Sequence, residues 1–150
     1  MNPLRSFEEF LRSGTVKRQR ADIPRSKSLA EEAEKRKAFL GVMSSKIGIS
    51  DDNANYYVEA AYDVIMELIR AKMLLDGFNT SGAYAHEAVV AYLRSLGFSE
   101  PDVSSANDLR YFRNGINYYG KRMDADYAKK VLRFLEDIYP RLKKLSESKS

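Results

Sequence analysis

Four glycines, Gly14, Gly48, Gly77 and Gly97, each close a stretch in which apolar residues recur every three or four positions. That spacing lays an apolar stripe along one side of a helix, and a glycine beyond the last turn accepts the left-handed conformation in which helices commonly end. A chain punctuated in this way is committed to amphipathic helices of limited length, and these bury their stripes only by packing side by side.

The segments follow in order. "SFEEFL" forms a short helix with Phe7, Phe10 and Leu11 on one side. "GTVKRQRADIPRSKS" has no apolar period and contains Pro24, so residues 14–27 form a basic connection, extended or only partly helical. Ser28 and Glu31 have capping-box spacing at the head of a long helix carrying Leu29, Ala33, Arg36, Leu40, Met43 and Ile47. Arg36, alone among apolar residues, either extends its stem to reach solvent or faces an acidic group across the bundle. Asp51 and Asp52 sit favourably at the start of a helix bearing Ala54, Tyr57, Ala61, Ile65, Leu68 and Met73. A fourth segment carries Ala85, Val89, Tyr92, Leu93 and Leu96. A fifth begins near Asp102 and turns Leu109, Phe112, Ile116 and Tyr119 inward. The sixth carries Ala128, Val131, Leu135, Ile138, Leu142 and Leu145, and Pro140 is expected to bend it or break its last turn. No stretch alternates convincingly as a strand would. The expectation is one all-α domain over residues 1–150, an up-and-down antiparallel bundle of four long helices plus shorter ones. The tail "KKLSESKS" is expected to fray.

Composition narrows the chemistry. Without cysteine and with a single histidine, the chain has no disulfide and no His/Cys metal site, and it carries neither a P-loop nor a dinucleotide fingerprint. No cofactor is called for. A carboxylate-only metal site remains open but has no motif. There is no long uninterrupted apolar run, and charges interrupt "MNPLRSFEEFLRSG" where a signal peptide would be apolar; a cytoplasmic location away from membranes is the default expectation. The net charge of +4 is modest, but its distribution is uneven. Lys17, Arg18, Arg20, Arg25 and Lys27 share a short stretch with one acid, Asp22, and Arg110, Arg113, Lys121 and Arg122 form a second basic segment. If the two meet on one face, they suit an anionic partner such as RNA, a nucleotide or an acidic protein.

The second basic segment contains "RYFRNGINYYG", residues 110–120. With Leu109, Phe112, Ile116 and Tyr119 inward, Arg113 falls at the stripe's edge and Arg110, Asn114, Asn117 and Lys121 run along the adjoining polar side. Arginine offers a planar fork for phosphate, and asparagine can hydrogen-bond a base edge or a backbone. Tyr118, just beyond, can stack on a base or pack against a helix. The alternative is a solvated face whose arginines pair with Asp108 or Glu136. Gly115 in mid-helix implies close approach by a second helix, a second subunit or a ligand. His86, the only imidazole, has an ordinary pKa of ~6.5, suited to proton transfer. It shares a stripe with Val89, Val90 and Leu93, which favours a partly buried packing residue with one hydrogen bond. Glu87 beside it is expected to face solvent.

"LIRAKMLLDGFNTSGAYAHEAVVAYLRSLGF", followed by "LRYFRNGINYYGK", resembles the HEPN superfamily, and within it the small stand-alone prokaryotic members. The likeness runs from "VKRQRADIPRSKSLAEEAEKRKAFL" through Tyr139. It implies a helical bundle that commonly forms a homodimer, bringing two arginine-containing motifs into one cleft. Many HEPN proteins are metal-independent ribonucleases, often of toxin–antitoxin or defence type, and others accompany a nucleotidyltransferase. Their signature is an arginine, often followed by a polar residue, with a histidine a few residues later. Arg113 and Asn114 match its first half, while Tyr118, Tyr119 and Gly120 occupy the window of the histidine. Tyrosine, with an ordinary pKa of ~10, is a poor base at neutral pH.

The expected function is therefore binding of nucleotide or RNA in a cleft around Arg113 and Asn114, with Arg110, Asn117, Tyr118 and Lys121 contributing. Cleavage of RNA by Arg113 with Tyr118, or with His86 brought close by folding, is the first alternative. A non-catalytic partner subunit of a nucleotidyltransferase is the second.

Overall fold

Helix α3, Ala54–Leu75, is the axis of the molecule: of its side chains, Ala54, Tyr57, Val58, Ala61, Tyr62, Val64, Ile65, Met66, Leu68, Ile69 and Ala71–Leu74 are all buried. Such a helix must be surrounded. In this computed structural model, which describes residues 3–120 and 122–148 and only the backbone of 117–119, the neighbours are α2 (Ile23–Lys46), α4 (Ala85–Ser95), α5 (Glu100–Tyr119) and α6 (Ala125–Leu145). Helices α2, α3, α5 and α6 are the four long ones, and α4 and α1 (Phe7–Ser13) are short, so the helical bundle matches the pattern in the sequence.

The stops lie where the glycines put them. Gly14, Gly48, Gly77 and Gly97 all have positive φ, between 80° and 84°. Side chains cap the starts of α1, α5 and α6: Ser6 accepts from the Glu9 N–H, Ser99 from Asp102 and Asp124 from Tyr127.

Four details of the fold add to expectation or depart from it. The basic connection holds a strand, β1 (Val16–Arg18), paired antiparallel with β2 (Phe78–Thr80) in the register Val16 to Thr80 and Arg18 to Phe78. Val16 is buried while Lys17 and Arg18 are exposed. Helix α2 then starts at Ile23, well before Ser28, because Asp22 caps it through the Arg25 N–H and Pro24 lies in the first turn, where a missing N–H costs nothing. Helix α6 runs unbroken past Pro140, which is exposed, so the lost hydrogen bond faces water. Nor is the tail loose at once: Lys72 Nζ donates to the Ser148 carbonyl at 2.5 Å.

That lysine belongs to a buried network. Lys72 pairs with Asp76 at 2.9 Å, and the Tyr92 hydroxyl donates to the same carboxylate at 2.5 Å. Beside it Phe7, Phe78 and Tyr92 pack ring against ring, joining α1, β2 and α4. The network anchors the end of the bundle that carries the β-ribbon.

Candidate anion-binding site

Only one side of α3 is open to solvent along its length. Glu59, Asp63, Glu67 and Arg70, at steps of four, four and three, are partly exposed between buried neighbours. From α2, Arg36 reaches Glu67 at 2.8 Å, the acidic contact expected for an arginine on that stripe. Burial holds the Glu67 carboxyl above its usual range, Arg36 opposes that effect, and Oε2 is buried without a hydrogen-bond partner among the described residues.

Tyr62 lies at the centre of this region, 1% exposed. Its hydroxyl is 3.0 Å from Nδ1 of His86 in the first turn of α4, and the Arg113 guanidinium of α5 lies 5.5 Å from the centre of its ring. Folding thus brings His86 and Arg113 to two sides of one buried tyrosine. Arg113 is 22% exposed; its nearest carboxylate is Asp63 at 3.9 Å, a weak ion pair, and its Nε is buried without a hydrogen-bond partner among the described residues. Arg110 donates from Nε to Asn107 at 3.1 Å.

The electrostatics follow from this crowding. Burial pushes the Tyr62 phenol well above its usual range despite the opposing pull of Arg110 and Arg113, so it stays protonated. Burial, then Arg113 and Arg70, hold the His86 imidazole below its usual value, with Asp63 acting the other way. His86 is exposed at its outer edge, yet Nδ1 points inward to Tyr62. A neutral imidazole has one N–H. If Tyr62 donates to Nδ1, both buried groups are satisfied and the His86 proton sits on Nε2. The opposite tautomer leaves the Tyr62 hydroxyl proton without an acceptor among the described residues. The satisfied arrangement makes His86 a hydrogen-bond donor toward solvent, alongside two guanidinium groups.

The residues singled out in the sequence are placed as follows. Arg110, Arg113 and Asn114 are partly buried and do not form an exposed ridge. Val103, Ala106, Arg110 and Arg113 succeed one another at steps of three, four and three, so the arginines share the inward face that begins with two buried apolar residues. Leu109 is also buried, and Phe112 packs edge-on against Tyr127, so α5 is covered on both sides. The side chains of Asn117, Tyr118 and Tyr119 and the whole of Lys121 lie outside the described residues. Asp108 and Glu136 are not partners of these arginines; Glu136 pairs with Lys37 at 3.0 Å.

His86 makes its single hydrogen bond as expected but is more exposed than a packing residue. Glu87, expected to face solvent, is 13% exposed and held by Arg5, whose guanidinium reaches it at 2.7 Å and whose backbone N–H reaches it at 3.1 Å. Tyr62, Asp63 and Arg70 belong to no motif in the sequence. The spacing of Asp63, Glu67 and Arg70 on the polar side of an otherwise apolar helix is the signal that could have marked them.

Elsewhere, a groove of about 450 Å³ lies between α2 and α6 over Leu40, Ile49, Leu132 and Leu135, and contains no residue of the Arg113 motif. Among the described residues no group of three or more His, Asp or Glu side chains could hold a metal ion, and no helix is long and apolar enough to cross a membrane. No family model, no curated protein and no solved structure matches the chain.

Proposed function

We propose that the protein is a HEPN-like helical domain that binds RNA or a nucleotide through phosphate contacts at Arg110, Arg113 and His86. One observation carries this reading: a guanidinium with only a distant carboxylate and the chain's only imidazole converge on Tyr62, within reach of solvent. Both are donors, and arginine is the side chain best matched to a phosphate's oxygens. Asn114, next on the same helix, supplies an amide for a base or sugar. In binding, Arg113 exchanges a weak contact with Asp63 for two charge-assisted hydrogen bonds, and the neutral His86 adds a third donor from Nε2. Replacing Arg113 with alanine is expected to weaken binding of a fluorescent single-stranded RNA by about tenfold or more, as loss of a charged hydrogen bond of about 1.5–3 kcal/mol implies. Unchanged affinity would remove the site from the account.

Cleavage of RNA without metal is the second reading, favoured by the approach of His86 to Arg113. As a general base, His86 would need its proton on Nδ1 and a bare Nε2, the arrangement that Tyr62 disfavours. RNA left intact by the wild type in the presence of a chelator decides against it. A dimer, implied by the family resemblance, is part of the proposal; Phe39, Val42, Ile47 and Tyr56, each at least half exposed, provide apolar surface for it. Sedimentation at increasing concentration tests that directly.

A further inference from the structure

The basic stretch before α2 ends beside this site. Ser26 Oγ donates to the Ala71 carbonyl at 2.7 Å and the Asp22 N–H to the Leu74 carbonyl at 3.0 Å, which sets Arg25 of α2 alongside Arg70 of α3. On the other side, the Arg18 guanidinium lies 5.3 Å from the centre of the Phe78 ring, and Phe78 and Arg70 line the same small hollow against β2. Arg25 and Arg70 therefore neighbour each other at one end of the open side of α3, and Arg18 lies against Phe78, which shares the hollow with Arg70. Among the described residues none of them has a carboxylate within ion-pair distance, in contrast to Arg5, Arg36 and Arg94.

Holding such charges together costs electrostatic energy that an anion would relieve. Arg70 is partly buried, and its own burial, followed by the charge of Arg25, pulls its pKa down, with Glu67 acting the other way. Arg70 also acts on His86 in the same direction as Arg113 does, so both arginines lie within electrostatic reach of the imidazole. Along α3, Asp63 at the Arg113 end and Arg70 are seven residues apart, a rise of about 10 Å. A single phosphate cannot touch both ends, whereas two phosphates of one strand can.

We infer that Arg18, Arg25 and Arg70 form a second phosphate subsite, and that with Arg110 and Arg113 it makes the open side of α3 a track for a single RNA strand in place of a pocket for one nucleotide. The inference rests on the reading of Arg113 and His86 given above and extends it. His86 donates to the phosphate held by Arg113, and the exposed arginines of β1 and α2 hold a neighbouring one. Contacts to the backbone alone give affinity without reading sequence.

Two probes separate the subsites: uridine monophosphate and an eight-nucleotide oligouridine RNA, each titrated into the full chain over a range of salt. Arg25→Gln with Arg70→Gln is expected to weaken the octanucleotide about tenfold or more and to flatten its salt dependence by about 0.7 in slope for each phosphate left without its arginine, with uridine monophosphate unaffected. Arg18→Gln with Arg25→Gln, both at exposed positions, is expected to act in the same direction and keeps the test valid if Arg70 contributes to folding. Arg113→Ala is expected to weaken both probes. Octanucleotide binding that is unchanged in both double variants but weakened by Arg113→Ala overturns the second subsite and leaves the first intact. Failure of both probes to bind the wild type overturns the two together.

Discussion

The Tyr62 hydroxyl stands 3.0 Å from Nδ1 of His86, tying the first turn of α4 to the middle of α3. Because Tyr62 is buried and remains protonated, its bond fixes which face of the imidazole looks outward. The inner edge of His86 is structural, and its outer edge is free to meet a ligand.

The charges around His86 should move its titration in opposite directions. Burial is the largest cause of its lowered pKa, and Arg113 is the next, while Asp63 raises it. Arg113→Gln is expected to raise the His86 pKa toward its ordinary value, and Asp63→Asn to lower it further. With one histidine in the chain, a single imidazole resonance followed by NMR against pH reports both. Shifts of the same sign in the two variants would contradict the arrangement.

The same group gives stability a pH dependence. The folded pKa of His86 lies below its ordinary 6.5, so on acidification the unfolded chain takes up the proton first. The contribution is fully present above pH 6.5 and is lost as pH falls through the folded pKa. Urea unfolding between pH 7.5 and about pH 5 is expected to show falling stability in the wild type and a shallower fall in His86→Gln. Identical slopes would mean that His86 titrates alike in both states.

Sequence periodicity makes the bundle legible because apolar stripes and terminal glycines are local signals. The β-ribbon is not legible, since its strands have three residues each, too few positions to alternate, and pair at long range, Val16 with Thr80. The early start of α2 is masked by Pro24, which reads as a breaker until Asp22 is seen to cap the turn. Of the site, residue type alone marks Arg110, Arg113 and Asn114, but not their setting. A stripe through Leu109 and Phe112 hides a second inward face through Val103, Ala106 and Arg113. That His86 and Arg113 meet on Tyr62 is a long-range relationship, and no spacing within one helix encodes it.

Lys72 offers a test of the frame that holds the site. It is 2% exposed and paired with Asp76. Lys72→Met is expected to cost about 3–5 kcal/mol, because it leaves a buried carboxylate without its cation. Pairing it with Asp76→Asn is expected to cost less than the sum of the two single changes. Additive losses in thermal or urea unfolding would show that the two groups do not act as a pair.

Gly77 joins α3 to the β-ribbon under two constraints. Its φ is +83°, and a Cβ there would stand 2.7 Å from the backbone oxygen of Gln19, which belongs to the connection carrying the basic residues. Gly77→Ala is expected to destabilise the fold by at least about 1–2 kcal/mol and to loosen β1. Calorimetry measures the first effect, and faster hydrogen exchange at the Gln19 amide, which donates to Gly77, measures the second. An unchanged melting temperature would argue against the close approach.

If phosphate is held between Arg113 and His86, the lone imidazole reports on it. Oligouridine RNA titrated into isotope-labelled protein at neutral pH is expected to shift the His86 ring signals in step with binding, with the shifts lost at the same RNA concentrations in Arg113→Ala. Saturable binding that leaves the His86 resonances unmoved, or the absence of any binding, would contradict it.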